Sequence, residues 1–210
     1  MSSGLSASIQ KQLKSGVAIL QKGGVIAFPT DTIYALAAAF DDAAAVERIY
    51  QLKKRPHRMG LPLLAADECQ LEEVTAEIPP AVRLLIKEFM PGALTLVLKK
   101  AEAVPAIVTG GADTVAVRIT AHPMALAIIK GLGKPVTGTS ANISGRPNAL
   151  TAAEVRSQFG DSLDLIIDGE CTGGTPSTIV DVSGIYPKIL REGAIPKQRL
   201  EQVLGKIEKE

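Results

Sequence analysis

Residues 25–36 read Val25-Ile26-Ala27-Phe28-Pro29-Thr30-Asp31-Thr32-Ile33-Tyr34-Ala35-Leu36. The first four form a short apolar run of the kind that makes a buried strand, and Pro29 ends it because proline has no N–H to continue a ladder. Beyond the strand come two hydroxyls, a carboxylate and a phenol. In α/β proteins ligands collect outside strand ends, where loops present side chains on a rigid support. Thr30, Asp31 and Thr32 therefore suit a small polar ligand such as an amino acid. The competing reading is a turn whose Thr and Asp cap a short helix over residues 33–38.

Upstream, Leu5, Ile9, Leu13, Val17 and Leu20 recur at helical spacing until Gly23-Gly24 stops them, so a helix feeds the strand. Downstream, Asp42 caps a second helix with apolar positions Val46, Ile49, Tyr50 and Leu52, which runs into Lys53-Lys54-Arg55-Pro56. Further strands are expected over 61–64, 94–98, 115–119, 165–167 and 179–182, with a short one at Pro135-Val136. Helices are expected over 81–89, 123–129, 152–159 and 196–204. The alternation predicts an α/β fold with helices packed on a sheet, in one domain over residues 1–210.

Composition narrows the class. With 210 residues, 46% hydrophobic and 21% charged, the chain can bury one sizeable core. No apolar run approaches the ~20 residues that span a bilayer, and the N-terminal MSSGLSASIQK has no continuous apolar segment. A cytoplasmic address is expected, without a membrane partner. Cys69 and Cys171 lack Cys or His neighbours at ligand spacing, which argues against zinc and disulfides. A net charge of +1 leaves any anion binding to a local patch. Aromatics at 3%, with no Trp, disfavour a base-stacking platform.

Three further stretches carry candidate chemistry. Residues 53–60, KKRPHRMG, concentrate Lys53, Lys54, Arg55, His57 and Arg58 in one loop. That pattern fits either an anion site or a solvated helix C-terminus. Residues 137–151, TGTSANISGRPNALT, crowd hydroxyls and amides among glycines, as a phosphate- or sugar-holding loop does and as a long polar turn does too. They contain no Walker sequence, and Gly131-Leu132-Gly133 is no dinucleotide fingerprint. Arg118 stands inside the apolar strand of Asp113-Thr114-Val115-Ala116-Val117-Arg118, where a charge needs a salt-bridge partner or a ligand. The stretches 176–181 and 189–193 each set polar residues beside a strand, as an edge ladder or as part of a site.

Seven dispersed motifs, FPTDTIYAL, KKRP, PGALTLVL, VAVR, TSANISG, STIVDV and LREG, stand in an order that resembles the YrdC-like threonylcarbamoyl-AMP synthases, in their short single-domain form. The resemblance covers about residues 9–196. It implies a twisted mixed sheet with a concave basic cavity, and condensation of ATP, L-threonine and bicarbonate into threonylcarbamoyl-adenylate with release of pyrophosphate. It further implies that a tRNA threonylcarbamoyl transferase complex accepts the product and modifies the adenosine next to the anticodon, with at most weak direct tRNA contact.

By motif, the resemblance assigns Lys53, Arg55, Ser140 and Asn142 to catalysis on the triphosphate. Arg55, Met59, Thr114, Ser140, Asn142, Asn148 and Arg191 fall on the ATP side. Thr32, Arg118, Gly138 and Ser177 fall on the threonine side, with Arg118 gripping the carboxylate. Mg²⁺ is expected on the phosphates, without a protein carboxylate cage. Ala35, Ala93 and Met59 depart from residues common in the family, Met59 standing where Lys or Asn would approach the nucleotide. The alternatives are a double-stranded RNA or tRNA-binding module without this catalysis, a carbamoyl-phosphate-using relative of hydrogenase maturation, and an inactive paralogue.

Overall fold

The computed structural model describes residues 5–205 and 207–209; the first four residues of the N-terminal stretch considered above lie outside it. In chain order the elements are α1 (Ala7–Gln21), β1 (Ile26–Phe28), β2 (Ala35–Ala37), α2 (Ala43–Lys53), β3 (Leu63–Ala65), α3 (Glu68–Val74) and α4 (Pro80–Phe89). There follow β4 (Leu94–Lys99), α5 (Ala106–Thr109), β5 (Thr114–Ile119), α6 (Pro123–Leu132), β6 (Val136–Thr137), β7 (Thr139–Ser140) and α7 (Ala152–Phe159). The last elements are β8 (Leu165–Ile166), β9 (Thr178–Asp181), β10 (Lys188–Arg191), α8 (Lys197–Leu204) and β11 (Glu208–Lys209).

The strands make two mixed sheets rather than one. The smaller runs β7-β2-β1-β8 and the larger β11-β10-β9-β4-β5-β3-β6. The short helix considered for residues 33–38 is not there: Ala35–Ala37 pairs antiparallel with β1, Phe28 opposite Ala35 and Ile26 opposite Ala37. Ile33-Tyr34-Ala35-Leu36 is apolar at every position, which suits a strand covered on both faces, and such a run carries no period to tell it from a helix.

The smaller sheet is covered on two sides, whereas one face of the larger sheet lines a cavity. Ile26 and Phe28 point into a cluster with Leu13 and Leu20 of α1 and Ile128 and Ile129 of α6. Val25 and Ala27 point the other way, into the larger cluster that contains Val46, Ile49 and Tyr50 of α2. Leu64 and Leu63 divide in the same manner, as successive strand side chains must. The anticipated Asp42 cap is present, its Oδ1 accepting from the Ala45 N–H at 3.0 Å, and the structure adds a reciprocal capping box of Thr151 and Glu154. Among the described residues no helix is long and apolar enough to cross a membrane.

The chain steps from one sheet to the other at Gly138, which lies between β6 and β7. Its N–H donates to Pro62 O at 2.7 Å, and a Cβ there would stand 2.3 Å from Leu64 Cγ, so only glycine fits this crossing.

The outer end of the larger sheet is fastened by one fully buried hydroxyl. Thr178 Oγ1 donates to Ile195 O at 2.6 Å and accepts from the N–H groups of Gly193 and Ile195, each at 3.0 Å. Thr178→Val keeps the shape and orphans those groups. Denaturant unfolding should show a loss of about 2 kcal/mol or more, given roughly 1–3 kcal/mol for a buried group left unsatisfied. A loss under about 0.5 kcal/mol would show that the 193–195 turn does not depend on this hydroxyl.

Candidate active site

The two sheets enclose a cavity of about 460 Å³. The smaller sheet and its turns contribute Thr30, Thr32 and Ser140 to its wall, and the larger contributes Thr95, Arg118 and Arg191. Four arginines line it, Arg55, Arg58, Arg118 and Arg191, and no Asp or Glu does among the described residues. Such a wall selects anions.

Arg118 is almost completely buried, and its guanidinium is shared three ways. Nε donates to Gly92 O at 2.8 Å, Nη1 donates to Thr32 Oγ1 at 2.8 Å, and Nη2 pairs with Asp31 Oδ1 at 2.7 Å. This last contact is an ion pair off the line of a good hydrogen bond, so Nη2 keeps donor capacity. Asp31 Oδ1 also accepts from Thr120 Oγ1 at 2.7 Å and from the Ala121 N–H at 3.1 Å. Burial pushes the Asp31 carboxyl up, but the charge of Arg118 and the bonds from Thr120, Arg118 and Ala121 outweigh it and hold the group below the usual carboxylate range.

Arg191 is exposed as a residue, yet its guanidinium turns to the cavity wall and donates through Nε and Nη2 to Ser177 O, at 3.1 and 2.8 Å, and through Nη2 to Ser177 Oγ at 3.2 Å. Burial, and then the nearby Arg118 charge, lower its pKa from the ordinary guanidinium value. Arg55 secures its own loop, donating to Met59 O and Gly60 O at 2.9 Å each. The loop starts where Lys54, at a left-handed φ of 50°, ends α2. Arg58 is exposed at the cavity rim and has no hydrogen bond or ion pair among the described residues.

Lys53 does not line the cavity. It is 2% exposed, behind the wall, where Nζ donates to Ser140 O, to Asn142 O at 2.7 Å and to Asn142 Oδ1 at 3.3 Å. No carboxylate pairs with it among the described residues, and burial, followed by repulsion from Arg55, lowers its pKa to about 7. Asn142 is likewise behind the wall: Oδ1 accepts from Ser140 Oγ at 2.6 Å and Nδ2 donates to Arg146 O at 2.6 Å. Met59 points outward, 47% exposed, and serves the site through its carbonyl, which Arg55 and Tyr50 hold.

The residues that line the cavity are thus Arg55, Thr114, Ser140, Asn148 and Arg191 from the expected ATP set, and Thr32, Arg118, Gly138 and Ser177 from the expected threonine set. Lys53, Asn142 and Met59 stand outside it. Thr95 went unnoticed in the sequence; the available signal was a lone hydroxyl within the apolar strand Leu94–Lys99. Among the described residues no group of three or more His, Cys, Asp or Glu could hold a metal ion.

Residues 18–193 match the Sua5/YciO/YrdC family model, described as telomere recombination. Threonylcarbamoyl-AMP synthase of Pyrococcus abyssi is 42% identical over 93% of this chain, and that of Bacillus subtilis 40% identical over 93%. The chain spans 58% and 57% of their respective lengths. The structure of P. abyssi Sua5 complexed with L-threonine superposes with a TM-score of 0.92 at 41% identity, covering 94% of this chain and 58% of that one. With the family match running through every cavity-lining motif, and a Sua5 structure following the same backbone, the chain belongs to the Sua5/YciO/YrdC family.

Proposed function

We propose that the protein is an L-threonylcarbamoyladenylate synthase, which joins ATP, L-threonine and bicarbonate and releases pyrophosphate. The observation that carries this reading is the wall itself: four arginines, of which only Arg118 is paired with a carboxylate, beside two buried hydroxyl pairs, Thr30 with Thr32 and Thr95 with Ser177. A polyphosphate needs the first and an amino acid the second. The names of the relatives and the threonine complex of P. abyssi Sua5 support it. A cavity of about 460 Å³ is of small-ligand size, and its arginines line a concave wall, which favours a nucleotide over an RNA duplex.

In this reading Arg55, Arg58, Arg191, Thr114, Ser140 and Asn148 hold the triphosphate, while Thr32, Arg118, Ser177 and the backbone at Gly138 hold threonine. Lys53 and Asn142 act one layer back by fixing Ser140, and Met59 acts through its carbonyl. Mg²⁺ would arrive on the phosphates of ATP, with Ser140 Oγ, whose proton Asn142 Oδ1 takes, as an available oxygen ligand. The threonine amine attacks carbon dioxide from bicarbonate to give a carbamate. A carbamate oxygen then attacks the α-phosphorus, and the bond to the pyrophosphate oxygen breaks. The protein forms no covalent bond, so proximity and charge stabilisation carry the rate. The product is a mixed anhydride whose consumer is a transferase acting on tRNA adenosine. A cytoplasmic location follows from that role.

Pyrophosphate release should require L-threonine and bicarbonate together with ATP. Equal release with threonine left out would eliminate this function.

Lys53 makes nucleotide affinity sensitive to pH. A polyphosphate beside Ser140 favours the ammonium, so binding takes up a proton wherever free Lys53 is neutral. With its pKa lowered to about 7, wild-type affinity for ADP should fall relative to Lys53→Met as pH rises from 6 to 9, the fall beginning near pH 7. Titration calorimetry across that range checks it; a constant ratio would mean that Lys53 does not sense the bound phosphates.

A further inference from the structure

The hydroxyls of the cavity wall have fixed proton directions, and these divide the wall into an accepting and a donating side. Thr30 Oγ1 spends its one hydrogen on Ile33 O at 2.7 Å. The 2.9 Å contact between Thr30 Oγ1 and Thr32 Oγ1 must therefore use the hydrogen of Thr32. Thr32 Oγ1 also accepts from Arg118 Nη1. It has no hydrogen left and one lone pair, so it can only accept from a ligand.

The second pair is opposite in kind. Thr95 Oγ1 and Ser177 Oγ are 2.8 Å apart, 3% and 5% exposed as residues, and own two hydrogens between them. One hydrogen serves the contact between them. Arg191 Nη2, which can only donate, occupies a lone pair on Ser177 Oγ and polarises that hydroxyl to donate onward to Thr95. One O–H of the pair is then left without an acceptor among the described residues, on the wall of the cavity. A buried donor in that condition is costly unless a ligand satisfies it.

We infer that Thr95 is a further substrate-binding residue: with Ser177 it gives an O–H to the carboxylate of the bound amino acid, while Thr32 Oγ1 accepts from the amine. The assignment rests on the synthase reading above and goes beyond it in naming Thr95 and the orientation of the ligand. It adds to what Arg118 can offer, since that guanidinium spends Nε on Gly92 and Nη1 on Thr32 and has its charge offset by Asp31, which leaves Nη2 as its one donor for the same carboxylate. It also suits the chemistry. An acceptor beside the amine binds its N–H and leaves the nitrogen lone pair free to attack carbon, whereas a donor there would block it.

The test is titration calorimetry of L-threonine into wild type, Thr95→Val and Thr95→Ser, with ADP titrated separately. Thr95→Val should bind L-threonine about tenfold or more weakly, the scale of a hydrogen bond to a charged group. Its ADP affinity should not change, and Thr95→Ser should recover most of the threonine affinity. The amine 1-amino-2-propanol, which lacks the carboxylate, should bind wild type and Thr95→Val alike. If Thr95→Val does not fold, Thr95→Cys, close in size with a weak donor, takes its place with the same expected loss. Wild-type threonine affinity in the Val or Cys variant, or a Ser variant no better than Val, overturns the role of Thr95 alone. Wild type that binds ADP and no L-threonine overturns the synthase reading and this assignment with it.

Discussion

A guanidinium buried between two sheets needs partners from both, and Arg118 finds them. It stands on β5 of the larger sheet, while Asp31 and Thr32 belong to the turn that leaves β1 of the smaller one. Isolated, that charge would cost far more to bury than a small domain can spare. Its ion pair with Asp31 and its bonds to Thr32 and Gly92 make burial tolerable only when the FPTDT turn, the 90–92 turn and β5 sit in one arrangement. The cavity lies against that junction, so its shape is set by the same interaction.

The four arginines of the wall are consequently unequal. Arg118 is neutralised by Asp31 and gives directional donors rather than net charge. Arg191 and Arg55 spend donors on backbone carbonyls, so they hold loops as well as face the cavity. Arg58 alone of the four has neither a carbonyl nor a carboxylate among the described residues, and it stands at the rim. A deep, uncharged, directional end suits an amino acid, and an outer end with unneutralised cations suits a polyphosphate.

Much of this was legible in the sequence where local chemistry decides. Polar residues crowded after an apolar strand marked part of the cavity wall, and Asp42 marked a helix start. The partner of Arg118 was not legible, because Thr32 lies 86 residues away and only topology brings the two together. The second sheet was missed for a related reason: β6 and β7 are two residues each, too short to show a period. Lys53 is more instructive. Val46, Ile49, Tyr50 and Lys53 follow helical spacing along one buried stripe, so periodicity already turned this lysine inward while Lys54, His57 and Arg58 are exposed. Residue type argued for a solvated cation, and the face of the helix overrode it.

Rigid presentation of Ser177 explains a glycine that neither catalysis nor a turn would require. A Cβ on Gly193 would fall 2.3 Å from Pro176 O and 2.6 Å from the Ser177 carbonyl carbon, so the chain after β10 presses directly on the backbone that carries this hydroxyl. Any other residue would force the two segments apart by several tenths of an ångström or more. The Gly193 N–H and the Ile195 N–H both close on Thr178 Oγ1, which locks the strand residue next to Ser177 from the same side. The LREG motif therefore backs the wall as well as supplying Arg191 to it. Hydrogen bonds fall off steeply with distance and angle, so a hydroxyl that must meet a ligand from a fixed direction needs this kind of support behind it.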